Sequence, residues 1–259
     1  VEEIEGDLLD KKSLERCMEG CDTLFHLAAV FAYWLPDPSV MYKVNIHGTV
    51  NILEVALAAG IKKVVYTSSI AAIGSTEGES LANEETLFND WLHADHYVVS
   101  KYMAELEAMR FVHRGLNLCV VNPTFPFGSN DIAPTPAGYL VQRYVSGKNP
   151  FWLPGGLNVA YVGDIARGHV LAAEKGRAGE QYILGGHNLS YKEFGRRICW
   201  SAKTGLPKFE LNPKMLSRVG KINEWISDNI TGRDPVIASK AIEYIGGKHL
   251  YFDISKAIT

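Results

Sequence analysis

The sequence has few cysteines, no long apolar run and no concentration of charge of one sign. No stretch approaches the roughly 20 apolar residues that a membrane-spanning helix needs. Lysine and arginine number 26 against 29 aspartates and glutamates, for a net charge of -3, and no basic run occurs. The electrostatic footprint of a nucleic-acid or anionic-membrane partner is therefore lacking, and neither partner is expected. The four cysteines, Cys17, Cys21, Cys119 and Cys199, are scattered. Cys17 and Cys21 flank Gly20, but no second pair stands at zinc-site spacing. All four read as reduced thiols, mostly core filler, in a cytoplasmic protein. Internal repeats and low-complexity tracts are also lacking.

What is present is an ordinary globular composition, 47% hydrophobic and 21% charged over 259 residues, enough for a large core. Val1 to Glu5 alternates weakly and suggests the end of a strand. Leu14, Cys17 and Met18 predict a short amphipathic helix closed by Gly20. A buried strand is expected over Thr23 to His26. Asp37-Pro38 then predicts a cap and first residue for a helix running to about Ala59. Gly48 inside that helix predicts close packing against a neighbour, since glycine there otherwise costs up to about 1 kcal/mol. Lys62 to Thr67 and Leu118 to Val121 read as buried strands, with a polar loop from Gly74 to His96 and a helix from Tyr97 to His113 between them.

Short, continuously apolar strands separated by helices are the pattern of a parallel sheet in an α/β fold. Ligands in such sheets lie beyond the carboxyl ends of the strands. Ala28-Ala29, Ser68-Ser69 and Asn122-Pro123 all stand at those ends. The second half is less regular. It holds a helix near Ala137 to Val145, a Pro/Gly loop over Asn149 to Gly156 and a strand from Asn158 to Val162. Asp164 then suggests a cap for a helix over Ile165 to Lys175. A strand over Gln181 to Leu184 is expected to rejoin the main sheet. Ser190-Tyr191-Lys192-Glu193 reads as a capping box. Asn212-Pro213 suggests a further helix with Met215, Val219, Ile222 and Ile226 on its apolar face.

Tyr97 and Lys101 stand four apart, so a helix puts both on one face, one turn apart. An ammonium beside a phenol favours the phenolate, which makes a tyrosine usable as an acid or base near neutral pH. Ser69, at a strand end, can hold the oxygen on which Tyr97 acts. His93, Asp95 and His96 form no ligand set of adequate size, and no metal is expected. Tyr33 and Trp34 suit either a substrate pocket or ordinary loop packing.

Taken together, Gly6-Asp7-Leu8, His26-Leu27-Ala28-Ala29, Asn45-Ile46-His47-Gly48-Thr49, Thr67-Ser68-Ser69, Tyr97-x-x-x-Lys101, Asn122-Pro123-Thr124 and Val162-Gly163-Asp164 resemble the extended short-chain dehydrogenases/reductases. The match is to the NAD-dependent epimerase/dehydratase and dihydroflavonol-4-reductase group. Tyr33 to Pro38, Asp131 to Pro136 and Tyr182 to Gly186 are similar to its hopanoid-associated sugar epimerase branch. The resemblance implies a Rossmann-like doubly wound parallel sheet with a smaller C-terminal substrate lobe. Residues 1–125 and about 178–186 would form the dinucleotide-binding part, and 126–177 with 187–259 the lobe.

It further implies that Tyr97 is the general acid/base, that Lys101 lowers its pKa and binds the nicotinamide ribose, and that Ser69 holds the substrate oxygen. Asp7 and Leu8 would contact adenine, Leu27, Ala28 and Ala29 would line the cofactor's path, and Pro123, Thr124, Phe125 and Pro126 would lie near the nicotinamide. Asn45 carries either a functional role or a tie to a neighbouring loop. The implied cofactor is NAD or NADP, the partner a carbonyl compound or nucleotide-sugar, and the assembly a homodimer through the helices Met41–Ala59 and Tyr97–His113.

The family's Gly-rich G-x-x-G-x-x-G turn is not found: Gly155-Gly156 and Gly246-Gly247 are isolated pairs. The expectation is therefore a partial sequence, cut at both ends and lacking the first βαβ unit, with the residue that selects NAD over NADP also upstream. The function expected is NAD(P)-dependent oxidoreduction at a carbonyl or secondary alcohol, as a reductase or as a nucleotide-sugar epimerase/dehydratase. The competing expectation is a catalytically inactive partial chain, or a dinucleotide fold kept for binding.

Overall fold

The computed structural model describes residues 2–32, 35–132, 135–149, 151–212 and 247–258. The expected helix beyond Asn212, along with Tyr33, Trp34, Ala133 and Pro134, lies outside them. Helix α1 (Lys11–Met18) leads into strand β1 (Thr23–His26). A long helical stretch follows: α2 (Ser39–Tyr42), a π-helical turn (Lys43–Gly48) and α3 (Thr49–Ala58). Strand β2 (Lys63–Thr67), helix α4 (His96–His113) and strand β3 (Leu118–Pro123) complete the first half.

The second half opens with β4 (Phe125–Phe127) and α5 (Pro136–Val145), then β5 (Phe151–Trp152), β6 (Gly156–Tyr161) and α6 (Val162–Lys175). After β7 (Gln181–Leu184) come β8 (His187–Ser190), α7 (Tyr191–Ala202), β9 (Phe209–Glu210) and β10 (His249–Leu250). The main sheet has the order β1-β2-β3-β7 and is parallel throughout. Strand β7 does rejoin it, beside β3. A second sheet orders β10-β6-β4, with β8 antiparallel to β6.

Strand alternation explains why helices cover both faces. Val64 and Tyr66 of β2, with Leu118 and Val120 of β3, point to one face and pack with Leu53, Ala56, Ala104 and Phe111 of α3 and α4. Val65, Cys119 and Val121 point to the other and meet Ile165 and Ala172 of α6. A strand buried on both sides reads as a continuous apolar run, as these two do. Helix α6 lies within the stretch 126–177 that the sequence reading gave to the lobe, yet it packs on this sheet. The α5–α7 pair has its own cluster of Tyr144, Trp152 and Cys199.

Four expectations are corrected. No strand forms at residues 2–6. Among the described residues β1 pairs only with β2, and only His26 of its four residues is buried, with Phe25 40% exposed. Helix α6 starts at Val162 directly from β6, so Asp164 sits in its first turn rather than at its cap. A carboxylate there still suits the positive end of the helix dipole. Of the four free cysteines only Cys119 and Cys199 are buried, and Cys21 is exposed.

Gly48 behaves as expected: a Cβ placed there would come within 2.9 Å of Leu8 Cβ. That close approach seats Leu8 on the π-helical turn, where the Asn51 side-chain amide also donates to the Leu8 carbonyl at 2.9 Å.

Candidate active site

Helix α4 is set at its start by Asp95, whose carboxylate accepts from the Val98 N–H at 2.8 Å. This cap puts Tyr97 in the first turn and Lys101 one turn further along the same face. Ser69 follows β2 and caps a short 3₁₀ turn, Ile70–Ala72, its hydroxyl accepting from Ala71 N–H at 3.1 Å. The Ser69 side chain is the group that favours the Tyr97 phenolate. Phe31 packs edge-on against the Tyr97 ring, with centroids 4.7 Å apart. The three residues singled out for chemistry therefore stand together, beyond the carboxyl end of β2.

Burial outweighs the other influences on Tyr97 and holds its pKa above the ordinary value; Ser69 pulls it down and Asp95 pushes it up. The net direction is opposite to the lowered value expected from the sequence. The Lys101 ammonium turns to the Thr67 carbonyl, at 2.8 Å, and lies 5.1 Å from the centre of the Tyr66 ring. Burial brings Lys101 down to about 8, against the opposing pull of Glu105.

Leu27, Ala28 and Ala29 run on from β1, exposed, and Pro123 to Pro126 run on from β3 into β4. With β2 between β1 and β3, these segments flank Ser69 on either side. Thr124 is buried, tied by its N–H to the Leu184 carbonyl at 3.0 Å. Asp7 and Leu8 lie elsewhere, in the turn before α1, where the Asp7 N–H donates to Ser13 Oγ at 2.9 Å. Asn45 is a tie: its side chain bonds both the N–H and the carbonyl of Val30, at 2.7 and 3.0 Å, and donates to Ser100 Oγ at 2.9 Å.

His93 pairs with Asp90 at 3.0 Å and His96 with the Tyr42 hydroxyl at 2.9 Å. Among the described residues, no three His, Cys, Asp or Glu side chains converge as a ligand set for a metal. No described helix is long and apolar enough to cross a membrane.

Reasoning from sequence missed the polar layer beneath the site. His26 Nε2 and Thr49 Oγ1 lie 2.9 Å apart, and the His26 ring stands 5.5 Å from that of Tyr66. Burial first, and the Lys101 charge second, lower His26 to about 3. An unfolded histidine takes its proton near pH 6.5, so between there and about 3 the unfolded chain binds protons that the folded chain refuses. Stability is then complete above the unfolded value and is lost as pH falls. The loss over this window is expected to reach about 5 kcal/mol at most. Urea midpoints of the full-length protein and of His26→Gln, followed with pH, should show a flatter acid limb in the variant.

Comparison with known proteins places these features in context. The model of the 3-beta hydroxysteroid dehydrogenase/isomerase family matches residues 1–186. A Synechocystis protein named as a dihydroflavonol 4-reductase is 35% identical over 265 residues, covering 100% of this chain and 76% of its own. The crystal structure of gox2253 superposes with a TM-score of 0.82 at 36% identity, over 97% of this chain and 76% of that one. The UDP-glucose 4-epimerase of Thermus thermophilus, solved with NAD, shares the fold at 19% identity and a TM-score of 0.74, over 98% and 76% of the two chains.

Proposed function

Because the chain belongs to the 3-beta hydroxysteroid dehydrogenase/isomerase family of extended short-chain dehydrogenases/reductases, we propose that it is an NAD(P)-dependent oxidoreductase acting on a carbonyl or secondary alcohol. The observation that carries this reading is the grouping of Ser69, Tyr97 and Lys101 beyond the carboxyl end of β2. The neighbouring residues fit the nicotinamide and ribose end of a dinucleotide. Leu27, Ala28 and Ala29 leave the end of β1 open, and Phe31 backs the Tyr97 ring. When bound, NAD or NADP supplies or accepts the hydride.

In the reductive direction the Tyr97 hydroxyl donates its proton to the substrate oxygen while the carbonyl carbon gains hydride; oxidation runs the same transfers backwards. Ser69 donates a second hydrogen bond to that oxygen and fixes its position. Lys101 contributes positive charge behind the site and would hold the ribose hydroxyls of the dinucleotide. Pro123 to Pro126 form the wall on the β3 side. The substrate would be a small carbonyl compound, with the α5–α7 segment covering the site as a lobe.

Net reduction is favoured over epimerisation by the relation to a named reductase at 35% identity. The epimerase likeness, at 19%, supports the fold alone. The test follows nicotinamide absorbance while the full-length protein acts on ketones and aldehydes, dihydroflavonol-type carbonyls included. Stoichiometric loss of reduced nicotinamide is the expected result. Substrate conversion without net change would transfer the assignment to an epimerase or dehydratase. Binding of dinucleotide without conversion of any carbonyl or nucleotide-sugar would leave a binding protein.

A further inference from the structure

We propose that Glu105 is a positioning residue of this site: its carboxylate ties the backbone of Ser69 in place through Asn122 and supplies the counter-charge of Lys101. The proposal rests on the oxidoreductase reading above. Glu105 stands one helical turn beyond Lys101 and two beyond Tyr97, so all three lie along one stripe of α4. It is only 6% exposed. A buried carboxylate costs several kcal/mol unless its charge and both oxygens are matched, and an apolar side chain would fill the same space without that cost.

Both oxygens of Glu105 are matched. Oε2 accepts from the Asn122 side-chain amide at 2.7 Å, and Oε1 from that of Gln181 at 2.8 Å. The same Asn122 amide nitrogen donates to the Ser69 carbonyl at 3.0 Å. One NH₂ group thus bridges the carboxylate to the backbone of the residue expected to hold the substrate oxygen. Both of its hydrogens are used, and Asn122 Oδ1 is buried with no protein partner. The bridge therefore depends on an acceptor at position 105. If glutamine stood there, its own amide would face two donors. Its one oxygen could serve either donor: a flip of Asn122 would relieve the clash and withdraw the bond to Ser69, whereas a flip of Gln181 would relieve it and keep that bond at the cost of the charge near Lys101.

The charged surroundings point the same way. Lys101 is faced by His26 from β1, by the Tyr66 ring from β2 and by Glu105 on its own helix. Glu105 is faced by Lys101 and Tyr66, with uncharged Ser68 after β2 and Asn122 and Gln181 from β3 and β7. Burial holds His26 neutral, and Glu105 is the group on α4 whose negative charge favours the Lys101 ammonium. Burial drives the carboxyl group of Glu105 upward; hydrogen bonds and the charge of Lys101 oppose it.

The test is Glu105→Gln in the full-length protein, with turnover measured as a function of pH and the Lys101 ε-carbon titrated by NMR. Turnover is expected to fall by about 10- to 100-fold, the scale of a misplaced catalytic group, with little change in KM for dinucleotide. The alkaline limb of turnover and the Lys101 titration should both move down by about one pH unit or more, as loss of an adjacent opposite charge requires. Asn122→Leu is the second variant. It cuts the tie to Ser69 but leaves the charge pair, so turnover should fall while the Lys101 titration stays within about half a unit of the parent.

An unmoved Lys101 titration in Glu105→Gln overturns the counter-charge role. Turnover within twofold of the parent in both variants overturns the positioning role. If the parent itself reduces no carbonyl, the oxidoreductase reading has failed; the NMR titration, which needs no activity, still decides the counter-charge.

Discussion

Replacing Tyr97 by phenylalanine is expected to lower kcat/KM by about 10²- to 10⁴-fold while leaving the fold in place. Phenylalanine keeps the ring that packs against Phe31, 4.7 Å away, and the helix cap at Asp95 does not involve the phenol. Ser69 keeps its bond from Ala71, so no buried group loses its main partner. The stability change should stay within about 1 kcal/mol by urea denaturation, and dinucleotide affinity within a few-fold. The loss should fall on the proton-transfer step. Because burial holds the Tyr97 pKa above its ordinary value, the phenol is protonated near neutral pH and ready to donate. Carbonyl reduction should therefore be fastest at neutral pH and decline in alkali, whereas alcohol oxidation should rise with pH as the phenolate becomes available. A variant that keeps reduction within tenfold of the parent would show that the proton comes from another group.

How much of this was legible in the sequence depends on the range over which each feature is encoded. Lys62 to Thr67 and Leu118 to Val121 announced themselves as strands, formed as Lys63–Thr67 and Leu118–Pro123, because burial on both faces leaves no polar alternation. The capping box of Ser190 and Glu193 is local and formed as read. The Tyr97–Lys101 spacing was legible for the same reason. The π-helical turn at Lys43–Gly48 was not, since the pattern of apolar residues reads there as one continuous helix. The direction of the Tyr97 pKa was misjudged because spacing along a helix says nothing of burial. Glu105 falls between these cases. Its place on the stripe is plain from i, i+4 arithmetic, but its partners are contributed by β3 and β7, at separations of 17 and 76 residues.

The second large effect concerns Lys101. Lys101→Met should abolish most turnover and also cost more than about 1 kcal/mol of stability, since the buried Glu105 loses the positive charge one turn away and the Thr67 carbonyl loses its donor. Methionine fills much of the space but leaves Glu105 without its counter-charge and the Thr67 carbonyl without its donor. The cost should depend on pH. Without Lys101 the Glu105 pKa, already raised by burial, rises further, while the unfolded value stays near the ordinary one. Above that unfolded value the folded variant holds a proton that the unfolded chain releases. Stability is then greatest in acid and is lost as pH rises towards the folded value. The lysine itself adds no slope below pH 8, because it is charged both in the folded state, where its pKa is about 8, and when unfolded. His26, relieved of the Lys101 charge, should tolerate acid better, which has the same sign. Urea denaturation near pH 5 and near pH 8 should therefore show the larger loss at pH 8. Adding Glu105→Leu should restore stability without restoring turnover, since two apolar groups replace the pair but no ammonium returns. Equal losses at the two pH values, or a double variant as unstable as Lys101→Met, would show that packing rather than charge accounts for the cost.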